Sequence, residues 1–143
     1  MELPDVNVLV YALRADTDQH AACKAWLDST VSGEARFALS RLALGAVVRI
    51  ATSPKIYRQP STLGEVFGFC QDLMDWPNCD LVEPGDRHWS IFQRLCLEAN
   101  ITGPRVTDAW YAALAIEHGC EWITLDRDFA RFSGLKWRMP EAR

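Results

Sequence analysis

The chain has 143 residues, enough for a single domain spanning 1–143 that buries roughly 70% of its unfolded surface. Its 49% apolar and 24% charged residues are those of an ordinary globular protein. A net charge of −4 and a pI near 5.3 argue against a generic basic nucleic-acid coat, while leaving open an enzyme that meets nucleic acid through local charge.

In chain order, residues 1–4 can form only a very short strand, and 6–13 read as the helix after it. A second helix spans 20–31, with Ala22, Ala25, Trp26 and Ser29 at helical spacing as its expected inner face. Residues 37–39 are strand-like. The apolar helix 42–51 stops before Ser53-Pro54, and 54–61 form a basic loop. Thr62-x-x-Glu65 is a capping box for a helix reaching about residue 76, where Pro77-Asn78 ends it. A short strand over 80–82 and a Pro84-Gly85 turn precede an amphipathic helix over 87–98. Thr107 is the expected cap of a helix over 108–118, with Gly119 as its stop. Residues 122–125 form a strand, and 135–138 a short edge strand limited by Pro140.

Short apolar strands alternating with helices indicate an α/β domain with a mostly parallel sheet and helices on both faces. No stretch reaches transmembrane length, and the first residues lack the basic leader and apolar core of a signal peptide. A cytoplasmic protein without a membrane partner is expected. The five cysteines include no C-x-x-C pair and the three histidines are scattered, so buried thiols rather than a zinc site are expected. His88 and His118 read as surface or capping residues.

Four aspartates stand where apolar runs meet helices or loops: Asp5, Asp108, Asp126 and Asp128. In open parallel sheets such junctions gather beyond the carboxyl ends of the strands. Two carboxylates about 5 Å apart repel by roughly 3 kcal/mol at an effective dielectric near 20. A fold that concentrates them raises their pKa values or binds a cation. Each also has a plainer reading: Asp5 as a helix cap, Asp108 as a first-turn charge favoured by the helix dipole, Asp126 or Asp128 as a turn residue. Arg49, Lys55, Arg58, Arg105, Arg127, Arg131, Lys136, Arg138 and Arg143 could surround the acids, but such charges are commonly just solvated surface. Trp110, soon after Asp108, reads as a core or interface anchor that could instead face substrate.

In order and spacing, D-x-N-x-L-x-Y at Asp5, Asn7, Leu9 and Tyr11, T-D-A at Thr107 to Ala109, and T-x-D-x-D-F at Thr124 to Phe129 resemble the PIN-domain nucleases. The nearest likeness is to VapC-type toxins of type II toxin–antitoxin pairs, and the stretch over 49–57 resembles one VapC branch. The resemblance implies a PIN-like three-layer α/β/α domain. It also implies a Mg²⁺- or Mn²⁺-dependent endoribonuclease, often a homodimer, silenced by a VapB-type antitoxin. Transfer RNA and a ribosomal RNA loop are the candidate substrates. By position, Asp5 and Asp108 would be metal ligands, and Asp126 would complete the pocket. Asp128 is a further candidate ligand, and Asn7 and Thr124 would support the carboxylates. One departure stands out. The glutamate that many PIN nucleases carry six residues after a serine is Ala46 here, counting from Ser40, with no acid from 41 to 51.

Two alternatives stay open: a catalytically degenerate PIN-like module that binds RNA or an antitoxin, and a flavodoxin-like phosphotransfer or phosphohydrolase domain. The second lacks the D-x-D nucleophile motif and P-loop glycines.

Overall fold

The computed structural model describes residues 1–141, so Arg143 lies outside the described residues. Strand β1 (Glu2–Pro4) leads into α1 (Val6–Leu13) and α2 (His20–Ser32), and β2 (Phe37–Leu39) into α3 (Arg41–Ala51) and α4 (Leu63–Asp75). After β3 (Cys79–Leu81) come α5 (His88–Ala99), a 3-10 turn at Gly103–Arg105 and α6 (Val106–Glu117). Strand β4 (Glu121–Ile123), a 3-10 segment at Arg127–Arg131 and β5 (Trp137–Arg138) follow. The strands lie in the order β3-β2-β1-β4-β5, and every pairing is parallel. This is the expected three-layer α/β/α arrangement around a short parallel sheet.

The order carries the functional geometry. The chain steps outward from β1 to β2 to β3, then returns to lay β4 on the other side of β1. Right-handed crossovers therefore put α1 to α4 on one face and α5 and α6 on the other. The packing of α1 on α2 and α3, of α3 on α4, and of α5 on α6 agrees with this. The direction reverses at β1, so the crevice beyond its carboxyl end is where an open sheet places a site.

Strands covered on both faces should read as continuous apolar runs, and β2 is buried at all three residues. Helix α6 is buried almost all round, with Ala109 and Tyr111 to Ala115 inside. Beneath it, Trp122 of β4 stacks on Tyr111 at 5.5 Å and meets Phe129 at 5.4 Å between ring centroids.

Several expectations need correction. The inner face of α2 is Cys23, Trp26, Leu27 and Val31; Ala22 and Ala25 are exposed. The larger side chains take the core, which turns the helix by about one residue. Thr107 does not cap α6. The helix grows out of the Gly103–Arg105 turn, Arg105 holds the cap position without a side-chain bond, and Thr107 lies inside the first turn. The turn sets the entry angle instead: Gly103 takes φ +64 and Pro104 fixes the next residue. His88 is 2% exposed rather than a surface residue. Its Nε2 lies 3.0 Å from the Trp110 carbonyl and its ring packs edge-on to the Trp110 indole. The cysteines are all free thiols, with Cys23, Cys70 and Cys120 buried. Among the described residues no helix is long and apolar enough to cross a membrane.

The 54–61 loop is more ordered than its composition suggests. Arg14, 7% exposed, donates to the Gln59 carbonyl at 2.9 Å and to Ser61 Oγ at 3.0 Å. Its guanidinium also pairs with Asp16 and lies 3.8 Å over the Tyr57 ring.

Candidate active site

Asp5 follows the last residue of β1 directly and caps α1. Its backbone N–H donates to the Ile123 carbonyl at 2.8 Å, continuing the β1–β4 ladder by one residue and fixing the side chain at the sheet edge. Oδ1 accepts from the Val6 N–H at 2.7 Å, and Oδ2 accepts from Thr124 Oγ1 at 2.7 Å. The capping reading of Asp5 is therefore met, and it leaves the second oxygen engaged with a residue 119 positions away. Burial pushes the Asp5 carboxyl up to about 6; the Thr124 and Val6 hydrogen bonds oppose this, and the Asp108 and Asp126 charges add to it.

Thr124 joins two of the acids. Its fully buried hydroxyl donates to Asp5 and accepts from the Asp126 N–H at 3.0 Å. Asp126 in turn caps the Arg127–Arg131 segment, its Oδ1 accepting from the Asp128 N–H at 2.9 Å. A turn role and a place beside Asp5 coexist in this residue.

Asp108 reaches the same region from the opposite side of the sheet, in the first turn of α6. Burial raises its carboxyl, and Asp126 and Asp128 raise it further, while Arg131 and Arg105 pull it down. Asp128 faces those cations: its Oδ2 lies 3.3 Å from both Arg105 Nη1 and Arg131 Nη2. Asp5, Asp108 and Asp126 thus form a mutually repelling set, and Asp128 spends its charge on two arginines beside them. Asn7 is exposed on α1, and no hydrogen bond from its side chain to the acids is seen among the described residues.

The donor set is wholly oxygen, which suits a hard cation. A desolvated carboxylate raised by its neighbours is the group a divalent ion would relieve. Among the described residues no group of three or more His, Cys, Asp or Glu side chains is drawn together tightly enough to hold a metal by itself. The arrangement fits an ion of the Mg²⁺ type, which takes one or two carboxylates and fills its shell with water and substrate oxygens.

Beside the acids lies a cleft of about 580 Å³ between α3 and α6. Leu42, Gly45, Ala46 and Arg49 line one wall; Val106, Thr107, Trp110 and Tyr111 line the other, with Phe92 of α5 behind. Ala46 is thus a wall residue of a real cavity. Tyr111 ties the cleft to the acids, since the Asp5 charge raises its phenol and the Arg49 charge lowers it, on top of a larger upward push from burial. The cleft could have been anticipated. Leu42, Gly45, Ala46 and Arg49 fall at i, i+3, i+4 and i+7, one helical face carrying two small residues and a cation.

Comparison with known proteins places this geometry in context. A family model described as "PIN domain" matches residues 3–135. Ribonuclease VapC31 of Mycobacterium tuberculosis is 35% identical over 140 residues, covering 98% of this chain and 99% of the relative. The VapC ribonuclease Mb2897 of Mycobacterium bovis is 34% identical over 136 residues, covering 95% and 92%. Among solved structures, a toxin-antitoxin complex from Klebsiella pneumoniae superimposes with a TM-score of 0.62 at 20% identity, covering all of both chains.

Proposed function

This chain belongs to the PIN-domain family, and from that premise we propose that it is a metal-dependent endoribonuclease, the toxin of a type II toxin–antitoxin pair. The observation that carries the reading is the placement of a desolvated Asp5 carboxylate, raised by Asp108 and Asp126, at the point where the strand order reverses. We assign Asp5 and Asp108 as metal ligands and Asp126 as the acid that completes the pocket. Asp128 acts by holding Arg105 and Arg131 beside it rather than as a ligand.

A Mg²⁺ or Mn²⁺ ion held there would neutralise charge on the scissile phosphate and make a bound water more acidic. The protein's own contribution is positional. Thr124 aims Asp5 Oδ2 and ties it to the Asp126 backbone, so two acids from distant segments move as one unit. Arg105 and Arg131 offset the accumulated negative charge and present cations to an incoming phosphate. No histidine serves as base: His88 is locked against Trp110, and the His20 and His118 rings meet the Tyr11 and Glu83 carbonyls at 2.8 and 2.7 Å.

The ribonuclease names of the full-length relatives support RNA as substrate. A cognate antitoxin and a homodimer follow as partners, in keeping with the exposed apolar side chains Leu63 and Phe67 on α4. The protein acts in the cytoplasm as one domain over 1–143. The absence of an acid at Ala46 favours a second reading, a degenerate module that binds RNA or antitoxin without cutting.

Cleavage of total cellular RNA by the antitoxin-free protein separates the two readings. With Mg²⁺ or Mn²⁺ we expect discrete fragments, none in EDTA, and a loss on the order of 100-fold or more in folded Asp5→Asn and Asp108→Asn variants. Silence under every metal, or undiminished cutting by both variants, would leave only the binding module.

A further inference from the structure

We infer that the cleft between α3 and α6 is a nucleobase subsite: one unstacked base of a single-stranded RNA enters it, and Arg49 receives the adjoining phosphate. The inference rests on the ribonuclease reading and specifies how that site would hold its substrate.

Three observations carry it. The first is composition: Leu42, Ala46, Phe92, Val106, Trp110 and Tyr111 give the cleft apolar and aromatic walls. Flat bases stack on such surfaces with little regard to sequence. Trp110 is held rigidly for this, packed edge-on against Phe92 at 5.4 Å and against His88 at 4.2 Å between ring centroids. The second is charge. Arg41 and Arg49 stand on the α3 wall. Arg41 is paired with Glu83 at 2.8 Å, whereas Arg49 has no salt bridge among the described residues. A cation beside an apolar slot matches a nucleotide, apolar in its base and anionic in its phosphate; an apolar peptide helix would leave that charge unmet. The third is position. Val106, Thr107, Trp110 and Tyr111 line the cleft and flank Asp108 on the first turns of α6, so a base seated there brings its backbone to the acids.

The residues at 45 and 46 make the slot possible. A Cβ built on Gly45 meets nothing within 4 Å, and Ala46 projects only a methyl group. A carboxylate at 46 would bring negative charge against both base edges and phosphate. The cleft is thus what this chain has in place of the missing acid.

Gly45→Phe tests the inference without touching the core. The site is exposed and helical, so the variant should fold at least as well as the parent. The probe is a short fluorescein-labelled single-stranded RNA of mixed sequence, titrated in EDTA so that binding is read without cleavage. A matched RNA with one abasic nucleotide is titrated alongside, and the metal-dependent cleavage assay runs in parallel. We expect Gly45→Phe to weaken binding by about tenfold. The abasic RNA should lose a similar factor on the parent protein, and little more on the variant, because both remove one contact. Ala46→Phe should behave as Gly45→Phe does. Equal RNA binding by the parent and both folded variants, or no RNA binding by the parent, overturns the inference, and the cleft would then fall to a protein partner. Failure of the ribonuclease reading is distinguishable: the parent would bind RNA in EDTA yet cut nothing with metal.

Discussion

Asp5 ends a strand, caps a helix and carries a carboxylate into a crowded acidic pocket, all with one side chain. Its titration makes the conflict measurable. In the metal-free protein the carboxyl titrates near 6, against 3.8 for the unperturbed group, so between those values the native state holds a proton that the unfolded chain has released. The stability from this group is complete below about pH 4 and is lost as pH rises through about 6, a swing of about 3 kcal/mol. Thermal melts in EDTA should show Tm falling across that window in the parent and a flatter profile in Asp5→Asn. Added Mg²⁺ should restore Tm at pH 7 and do little at pH 4; parallel profiles for the two proteins would refute this account. Thr124→Val keeps the shape of a buried side chain and removes both hydrogen bonds. It should cost about 1–3 kcal/mol and most of the cleavage rate, with Thr124→Ser recovering much of each. Part of this was legible: the motifs mark Asp5, Thr124 and Asp126, which meet, but also Asn7, which does not join them. What could not be read is which way each carboxylate turns. Asp128 has the same spacing logic as Asp126, yet Arg131 three residues on and Arg105 from the turn before α6 decide its direction.

Elements were read more surely than their edges. Short strands with helices between them announce a parallel sheet, because parallel neighbours need a crossover connection and a helix is its usual form. Helix faces were less legible where small apolar residues compete with large ones, as Ala22 and Ala25 do with Cys23 and Trp26. The start of α6 was misplaced for a similar reason, since a Gly-Pro turn can replace a capping hydroxyl and Thr107 then becomes ordinary. The loop after α3 shows tertiary structure overriding composition. Its basic, proline-flanked sequence suggests a free strap, yet Arg14 ties it back through Gln59, Ser61 and Tyr57. Arg14→Met should release it. Trypsin would then cut after the exposed Lys55 and Arg58 at least about tenfold faster than in the parent, equivalent to about 1.4 kcal/mol of easier local opening. An unchanged digestion pattern would mean that the loop is held by other means.

For the molecule as a whole, a net charge of −4 is compatible with the RNA substrate proposed above because the cations are local. Arg41, Arg49, Arg105 and Arg131 gather at the same end of the fold as the acids. RNA affinity should therefore fall with salt, and Arg49→Gln should lessen the slope of log K against log [KCl] by about 0.7, the share of one neutralised phosphate on a single strand. A slope unchanged within error would remove Arg49 from the phosphate path. The sheet order has a further consequence, for the time of synthesis. The hydrogen bond from Thr124 to Asp5 joins segments made 119 residues apart, and β1 must wait for β4 to fill one of its two flanks. While the ribosome is still elongating toward Thr124, the pocket does not exist. On the proposed function, a nascent chain is harmless to the transcript being read, and activity begins only after the segment bearing Thr124 and Asp126 clears the exit tunnel. Vectorial synthesis therefore imposes a delay during which an inhibitor made alongside could already be waiting.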